Sequence, residues 1–245
     1  MVGLARASLP PQEIEHLDDH AAIAALRECA LFSSVDDAAL AGIARTLRKR
    51  RFRRGEVIFH QGDTGDTLEI VASGSVKIVL ASEEGEEAIL ATVQPSQTFG
   101  ELALLDGAPR SASAIALEPS ETWQLPRSTL RNLMDEDPAL RDAMFASLAS
   151  VLRRITGQVE ELHFLDLAGR LATRLGRLAR AQDPTAQEVT LDWHLTQSDL
   201  AAMIGGTRQS VNRLLNDLVD EGLVRVDKDT LVILDVDALL RSGVR

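Results

Sequence analysis

Tyrosine is absent from this chain, and cysteine occurs once, at Cys29. A single thiol closes no intrachain disulfide and cannot supply the four thiolates that hold an iron–sulfur cluster within one chain. The aromatic set is six phenylalanines and two tryptophans, too few for the stacking platforms that single-stranded nucleic acid needs. No apolar run reaches the ~18 residues of a membrane span. The opening MVGLARASLPPQEIEH lacks the apolar core of a secretory signal. The expected compartment is therefore the cytoplasm, with no membrane partner. A glycine-lysine phosphate loop, zinc-ligand spacing and a nucleophile elbow are missing too. His16, His20, His60, His163 and His194 share no ligand spacing. Neither a metal site nor an enzymatic activity is expected.

Positive charge is the scarcer sign: 26 Lys and Arg against 37 Asp and Glu leave a net charge of −11. Over the whole chain this opposes a phosphate-bearing partner, whose attraction depends on cations. Local charge decides affinity, however, so the question passes to individual segments. The rest of the composition is that of an ordinary globular protein, with 45% hydrophobic and 26% charged residues over 245 positions. That length gives room for one large domain or two small ones.

Residues 1–20, with Pro10-Pro11 and an acidic run, carry no periodic pattern and read as poorly ordered. Residues 21–48 read as short helices anchored by Leu26, Leu31, Leu40 and Ile43. The basic run Arg48-Lys49-Arg50-Arg51 with Arg53-Arg54 reads as a solvated edge, an anion patch being the alternative. From Phe52 onward the texture is β-rich. Short runs at 56–60, 67–71, 76–80, 87–93, 112–117 and 121–125 alternate with turns at Gly55, Gly62-Asp63, Gly65-Asp66, Ser73-Gly74, Gly85 and Gly107. This pattern predicts a small barrel or jelly roll. Residues 101–105 and 128–135 read as helix.

Residues 137–165 form the stretch that organises the chain. Asp137-Pro138 is a helix start, a capping carboxylate followed by proline at the first helical position. Phe145, Leu148, Leu152, Ile155, Val159 and Leu162 then alternate at steps of three and four, a coiled-coil seam about 27 Å long. A dimer interface is the expectation, and a core helix within one domain is the competing reading. The helix is expected to break over 165–169, where Gly169 offers a permissive backbone. Arg170, Arg174, Arg177 and Arg180 then line one cationic face of a second helix. Residues 189–191 read as a short strand.

Two motifs carry chemistry. The first is Phe99-Gly100-Glu101-Leu102-Ala103 followed by Pro109-Arg110-Ser111-Ala112. Gly100 allows close backbone approach, and the helix it opens presents free N–H groups to an anion. Arg110 supplies a charged fork for phosphate oxygens and Ser111 a hydroxyl. Glu101 suits a sugar hydroxyl. One phosphate and one sugar hydroxyl describe a nucleotide with a single phosphate; a surface turn with an Arg–Glu ion pair is the plainer alternative. Residues 26–165 resemble the cyclic-nucleotide-binding domain of the catabolite activator (cyclic AMP receptor, Crp-Fnr) family, and FGELALLDGAPRSASA is similar to its phosphate-binding cassette. The resemblance implies a β-roll that holds cyclic AMP. Glu101 takes the ribose 2′-hydroxyl; Gly100, Leu102 and Ala103 contribute main-chain groups; Arg110 and Ser111 hold the cyclic phosphate. The family reads adenine with adjacent Thr and Ser on the long helix. Ile155-Thr156 stand there in this chain, so Thr156 keeps a hydroxyl and Ile155 does not.

The second motif, LTQSDLAAMIGGTRQSVNRLLNDL from Leu195, follows Trp193 closely. Thr196 with Asp199 resembles a capping box, Gly205-Gly206 breaks the first helix and Thr207 caps a second. Val211, Leu214, Leu215 and Leu218 face inward. This is a helix-turn-helix, an ordinary helical hairpin being the plainer reading. Arg208, Gln209, Asn212 and Arg213 can hydrogen-bond base edges, and Thr196, Thr207 and Ser210 complete the DNA-facing set. Residues 223–226 and 230–234, joined by Asp227-Lys228-Asp229, read as a hairpin wing. This part resembles the winged helix-turn-helix of the same family, in which an Arg-Glu-x-x-x-Arg pattern reads the half-site; here Gln209 replaces the Glu.

The expected fold is α+β: a β-roll, jelly-roll-like cyclic-nucleotide-binding domain at 21–136, a dimerisation helix at 137–166 and a winged helix-turn-helix at 167–245. The resemblance implies a homodimeric transcription factor that binds palindromic double-stranded DNA under control of cyclic AMP, with RNA polymerase as a further partner. The same fold also serves regulators that need no ligand, or that sense cyclic GMP, another nucleotide or a haem-bound gas.

Overall fold

The computed structural model describes residues 19–82, 86–191, 195–227 and 230–243. The expectations for residues 1–18, Gly85, Trp193, His194 and the Lys228-Asp229 tip lie outside these. The chain opens with α1 (Asp19–Glu28), a 3-10 turn (Ala30–Phe32) and α2 (Asp37–Ala44). Eight strands follow: β1 (Arg48–Phe52), β2 (Val57–Phe59), β3 (Thr67–Ser73), β4 (Val76–Ala81), β5 (Glu87–Val93), β6 (Thr98–Phe99), β7 (Ser113–Ala116) and β8 (Ser120–Pro126). The short helix α3 (Glu101–Asp106) lies between β6 and β7. The strands form two antiparallel sheets, β1-β8-β3-β6 and β2-β7-β4-β5.

Alternation along β3 shows how this roll is filled. Leu68 and Ile70 point outward into a core with Leu26, Phe32, Leu40, Ile43 and Trp123. Val71 points inward, between the sheets, with Phe52, Ile58, Phe99 and Ala114. A strand buried on both faces loses the polar alternation of a surface strand. The basic run does form an edge, but a paired one: β1 lies antiparallel to β8. Lys49 and Arg51 both bridge to Glu121, and the Lys49 ammonium sits 5.4 Å over the Trp123 ring. Charged side chains along an edge strand discourage pairing with another chain. RKRRF has poor strand propensity and takes strand form through its β8 partners, which is why the sequence pattern does not predict β1.

α4 (Arg127–Glu136) leads into α5 (Pro138–Phe164), whose 27 residues span about 40 Å. Asp137 caps α5, its carboxylate accepting from the Ala139 N–H at 2.8 Å. Leu140 and Met144 anchor the first turns in the helical core. Farther along, the apolar stripe is uncovered in the single chain: Phe145, Leu152, Ile155, Val159 and Leu162 are exposed, Leu152 at 66%, and Leu148 is half-buried.

The chain breaks at Leu165 and Asp166, and α6 (Leu167–Gln182) starts with Asp166 accepting from the Gly169 N–H at 2.8 Å. Gly169 is thus helical, which corrects its expected role as a permissive break. Its smallness serves packing instead, since a Cβ there would lie 2.6 Å from the Gly243 carbonyl oxygen. The arginine face of α6 is engaged in holding the fold together. Arg170 donates to the carbonyls of Leu162 (2.9 Å), Leu165 (3.1 Å) and Ile204 (3.2 Å), capping the end of α5. Arg177 pairs with the buried Glu161, and Arg180 with Asp237. Beyond lie β9 (Val189–Leu191), α7 (Gln197–Ile204), α8 (Arg208–Asp220), β10 (Val224–Val226), β11 (Leu231–Ile233) and α9 (Val236–Ser242). The wing is a three-stranded sheet in the order β10-β11-β9. Among the described residues no helix is long and apolar enough to cross a membrane.

Gly169→Ala is expected to cost about 1–3 kcal/mol by overpacking α6 against the α9 end. Gly42→Ala, in α2 with open space around it, is expected to gain about 0.5–1 kcal/mol. Denaturant unfolding of both variants measures this; equal effects would mean that the α6–α9 approach is not close-packed.

Candidate functional site

The end of β6 delivers the chain to Gly100 at φ +85°, and the next residue starts α3. A Cβ at Gly100 would lie 2.4 Å from Arg110 Nη1, so both the conformation and the space require glycine. Arg110 is only 5% exposed. Its Nη1 donates to the Gly100 carbonyl at 2.7 Å and its Nη2 to the Thr67 carbonyl at 2.8 Å. The guanidinium lies 4.1 Å over the Phe59 ring. The Arg110 N–H donates to the Asp63 carbonyl, and the Arg110 carbonyl accepts from the Gly62 N–H, stitching the cassette to the β2–β3 loop. Burial pulls the Arg110 pKa down, while the charges of Glu69, Asp66, Glu101 and Asp63 hold it up; a guanidinium stays protonated here. Its Nε is buried without a hydrogen-bond partner among the described residues.

Glu101, at the start of α3, is 9% exposed. Burial pushes its carboxyl up, against its own backbone N–H and the charges of Arg154 and Arg110. Gly100 provides no side-chain cap for α3, and with the Glu101 N–H taken by its own carboxyl the amides after it are left for an anion or water. Leu102 is exposed, Ala103 buried and Ser111 exposed. The structure thus brings Gly100, Glu101, Ala103 and Arg110 together. It does not join Thr156 to them within one chain: Thr156 is exposed and its hydroxyl donates to the Leu152 carbonyl at 3.0 Å. α5 meets the roll through Gln158, whose Nε2 donates to the Leu90 carbonyl at 2.6 Å.

Sequence reading missed Phe59, Thr67, Glu69 and Arg154. Glu69 had a legible signal: an acid between Leu68 and Ile70 in a strand whose neighbours are apolar. The other three are ordinary residues for their elements, and only tertiary contact marks them.

In the C-terminal part, Thr196 caps α7 in a full capping box with Asp199. Its hydroxyl is committed to that box, donating to Asp199 Oδ2 at 2.7 Å. Gly205 turns the chain in the left-handed region. Thr207 caps α8, accepting from the Ser210 N–H at 3.1 Å. Val211, Leu214, Leu215 and Leu218 are buried, while Arg208, Gln209, Asn212 and Arg213 are exposed on the first turns. Asp217, Asp220 and Glu221 lie exposed at the far end. The cationic end therefore coincides with the positive end of the helix dipole.

The two parts touch. The Lys77 ammonium on β4 bridges Glu87 at 2.9 Å and Asp199 at 3.0 Å. A cleft of about 970 Å³ runs beside this contact, lined by Arg54, Lys77 and Glu87 from the roll and Thr196, Thr207 and Arg208 from the helix-turn-helix. Burial opposes the Asp199 charge, but hydrogen bonds from Thr196 and the Lys77 ammonium outweigh it and hold the carboxyl below its usual range.

Comparison with known proteins agrees with this anatomy. Residues 49–137 match the family described as "Cyclic nucleotide-binding domain", and residues 169–242 match "Crp-like helix-turn-helix domain". The chain is 33% identical over 221 residues to the CRP-like cAMP-activated global transcriptional regulator of Mycobacterium tuberculosis, covering 89% of this chain and 98% of that protein. It is 31% identical to the global nitrogen regulator of Synechococcus elongatus, covering 79% and 88%. The fold is similar to that of FixK2 from Bradyrhizobium japonicum, with a TM-score of 0.72 at 20% identity over 80% of this chain and 96% of that one.

Lys77→Met keeps the aliphatic stem and removes the charge. At neutral pH it is expected to cost about 1.5–3 kcal/mol, the worth of a hydrogen bond to a charged group. An acid held below its usual pKa contributes stability that is fully present above the unfolded value, about 3.9, and is lost as pH falls from there through the lower folded value. The cost of Lys77→Met should accordingly shrink below about pH 4. Urea unfolding at pH 7 and pH 3.5 measures it; a pH-independent cost would show that the ammonium does not act through Asp199.

Proposed function

This chain belongs to the Crp/Fnr family of transcriptional regulators, which are DNA-binding proteins and not enzymes, and we propose that it is a homodimer whose specific DNA binding is controlled by cyclic AMP. The observation that carries the effector reading is the Arg110 cradle. A buried guanidinium with an unused Nε–H lies against a glycine that tolerates no side chain. Such a group fits one anionic phosphate. Arg110 and Ser111 take the cyclic phosphate, the amides of Gly100, Leu102 and Ala103 support it, and Glu101 accepts from the ribose 2′-hydroxyl. Thr156 reads the base. It is exposed on α5 beside the seam, and in this reading it acts across the dimer.

The division into an effector domain at 21–136, a dimerisation helix at 137–166 and a DNA-binding domain at 167–245 belongs to this proposal. The uncovered stripe of Phe145, Leu148, Leu152, Ile155, Val159 and Leu162 is the dimer seam. Arg208, Gln209, Asn212 and Arg213 read base edges while Thr196, Thr207 and Ser210 stand by the phosphates. A two-fold dimer presents one reading helix to each half of a palindrome, with centres about 34 Å apart. RNA polymerase is the further partner of a regulator bound there.

A second reading has its own support. Ile155 offers no hydrogen bond to a base, and Arg110 already donates to two carbonyls of its own chain. A regulator that answers to another nucleotide, or to no ligand, fits those two facts.

Two variants separate the parts. Arg110→Ala is expected to weaken cyclic AMP binding by at least roughly 10- to 150-fold, the equivalent of about 1.5–3 kcal/mol, while leaving the dimer intact. Leu152→Asp is expected to yield monomers by placing an unpaired charge in an apolar seam. Calorimetry and light scattering read these; unchanged affinity in the first or a persisting dimer in the second contradicts the corresponding assignment.

A further inference from the structure

Glu69 has no part in the reading above. It lies on β3 opposite Gln124 of β8 and Phe99 of β6, on the inward face with Thr67 and Val71, and is 1% exposed. Its Oε1 accepts from Thr67 Oγ1 at 3.0 Å and from Gln124 Nε2 at 2.8 Å. Its Oε2 accepts from Thr122 Oγ1 at 2.8 Å. All three donors are neutral. Burial pushes the Glu69 carboxyl up, against the hydrogen bonds from Thr122, Gln124 and Thr67 and the Arg50 charge.

Charged groups surround this network on several elements. Arg50 on β1 favours the Glu69 charge. Arg110 reaches it through Thr67: Nη2 donates to the Thr67 carbonyl and lies 3.3 Å from Thr67 Oγ1, whose hydrogen goes to Glu69. The charge of Glu69, with those of Asp66 and Asp63 on the β2–β3 loop and Glu101 on α3, supports the Arg110 cation. A phosphate arriving on Arg110 brings the same sign of charge to the same guanidinium. Two anions then share one cation, and the buried one has the cheaper way out, by taking a proton. Its partners allow this. The Thr122 hydroxyl can turn from donor to acceptor for a new O–H on Oε2, while Thr67 and Gln124 continue to donate to the carbonyl oxygen Oε1.

We propose that Glu69 is the internal counter-charge of Arg110, a positioning residue that acts through Thr67 and takes up a proton when an anionic phosphodiester binds. This rests on the reading of the Arg110 cradle as a cyclic-nucleotide pocket. The balance is one solvent proton transferred to one carboxylate oxygen, with no bond broken in the ligand. The sign follows: an acid whose pKa rises on binding makes binding tighter as pH falls, by at most about tenfold per pH unit for one proton.

The test is calorimetric titration of the full-length protein with cyclic AMP between pH 5.5 and 8, in buffers of different ionisation enthalpy. Wild type is expected to absorb protons on binding and to bind more tightly as pH falls. Glu69→Gln keeps the shape and, like the protonated acid, offers one acceptor and one donor side, but is expected to bind with no uptake from this site and a flat pH profile. Carbon NMR of the Glu69 carboxyl in wild type gives an independent reading should that variant fail to fold; on saturation the resonance is expected to move to that of a protonated acid. Binding without proton uptake, or the same uptake in Glu69→Gln, overturns the role of Glu69 and leaves the pocket reading standing; uptake kept in the variant points to Glu101, Asp63 or Asp66. No binding of cyclic AMP by wild type at any pH overturns both.

Discussion

A guanidinium held at 5% exposure has lost its water, and its donors must find acceptors inside the fold. For Arg110 those acceptors are the Gly100 and Thr67 carbonyls, with Phe59 covering its face. Much of the roll's local architecture follows from that demand. Gly100 must lack a side chain because Arg110 occupies its space. Gly65 must lack one because Ala103 Cβ would lie 2.4 Å away and Arg110 Nε 3.0 Å away. The β2–β3 loop curls so that Asp63 and Gly62 bond the Arg110 backbone. Four carboxylates gather round one cation, which leaves the pocket rich in negative charge and sensitive to the arrival of one more anion.

The roll and the C-terminal part are tied together by polar contacts. α5 is tied to the roll by Gln158 and to α6 and α7 by Arg170, which bonds the carbonyls of Leu162, Leu165 and Ile204 at once. Lys77 gives a second tie, from β4 to the capping box of α7. Under the proposed function, a ligand that favours one arrangement of α5 would act on the helix-turn-helix through these contacts. A ligand can shift that balance only by its differential affinity for the two arrangements.

Much of this was legible in the chain. The inner strands, α3 and the long helix follow from period-two and period-three-and-four patterns, and the helix caps at Asp137, Thr196 and Thr207 from their residue types. Cassette and helix-turn-helix were legible because glycine and arginine stand where backbone approach and charge require them. What stayed hidden depends on partners distant in sequence. β1 is a strand only because β8 lies beside it, and Gly169 is glycine because of Gly243, far along the chain. The α6 arginines read as one cationic face, but Arg170 and Arg177 fasten α5 to α6 while Arg180 pairs with Asp237 of α9. Thr156, placed by resemblance, sits on the helix as expected, but its hydroxyl bonds its own helix.

The central claim is that one pocket and one DNA surface share an equilibrium, and linkage makes that claim reciprocal. The direct measurement is the affinity for a palindromic duplex selected from random sequence, with and without saturating cyclic AMP. Beside it stands the affinity for cyclic AMP with and without that duplex. The account predicts that each ligand tightens the other by the same factor, roughly 5- to 150-fold for a coupling of about 1–3 kcal/mol. Equal DNA affinity in the presence and absence of cyclic AMP would contradict it.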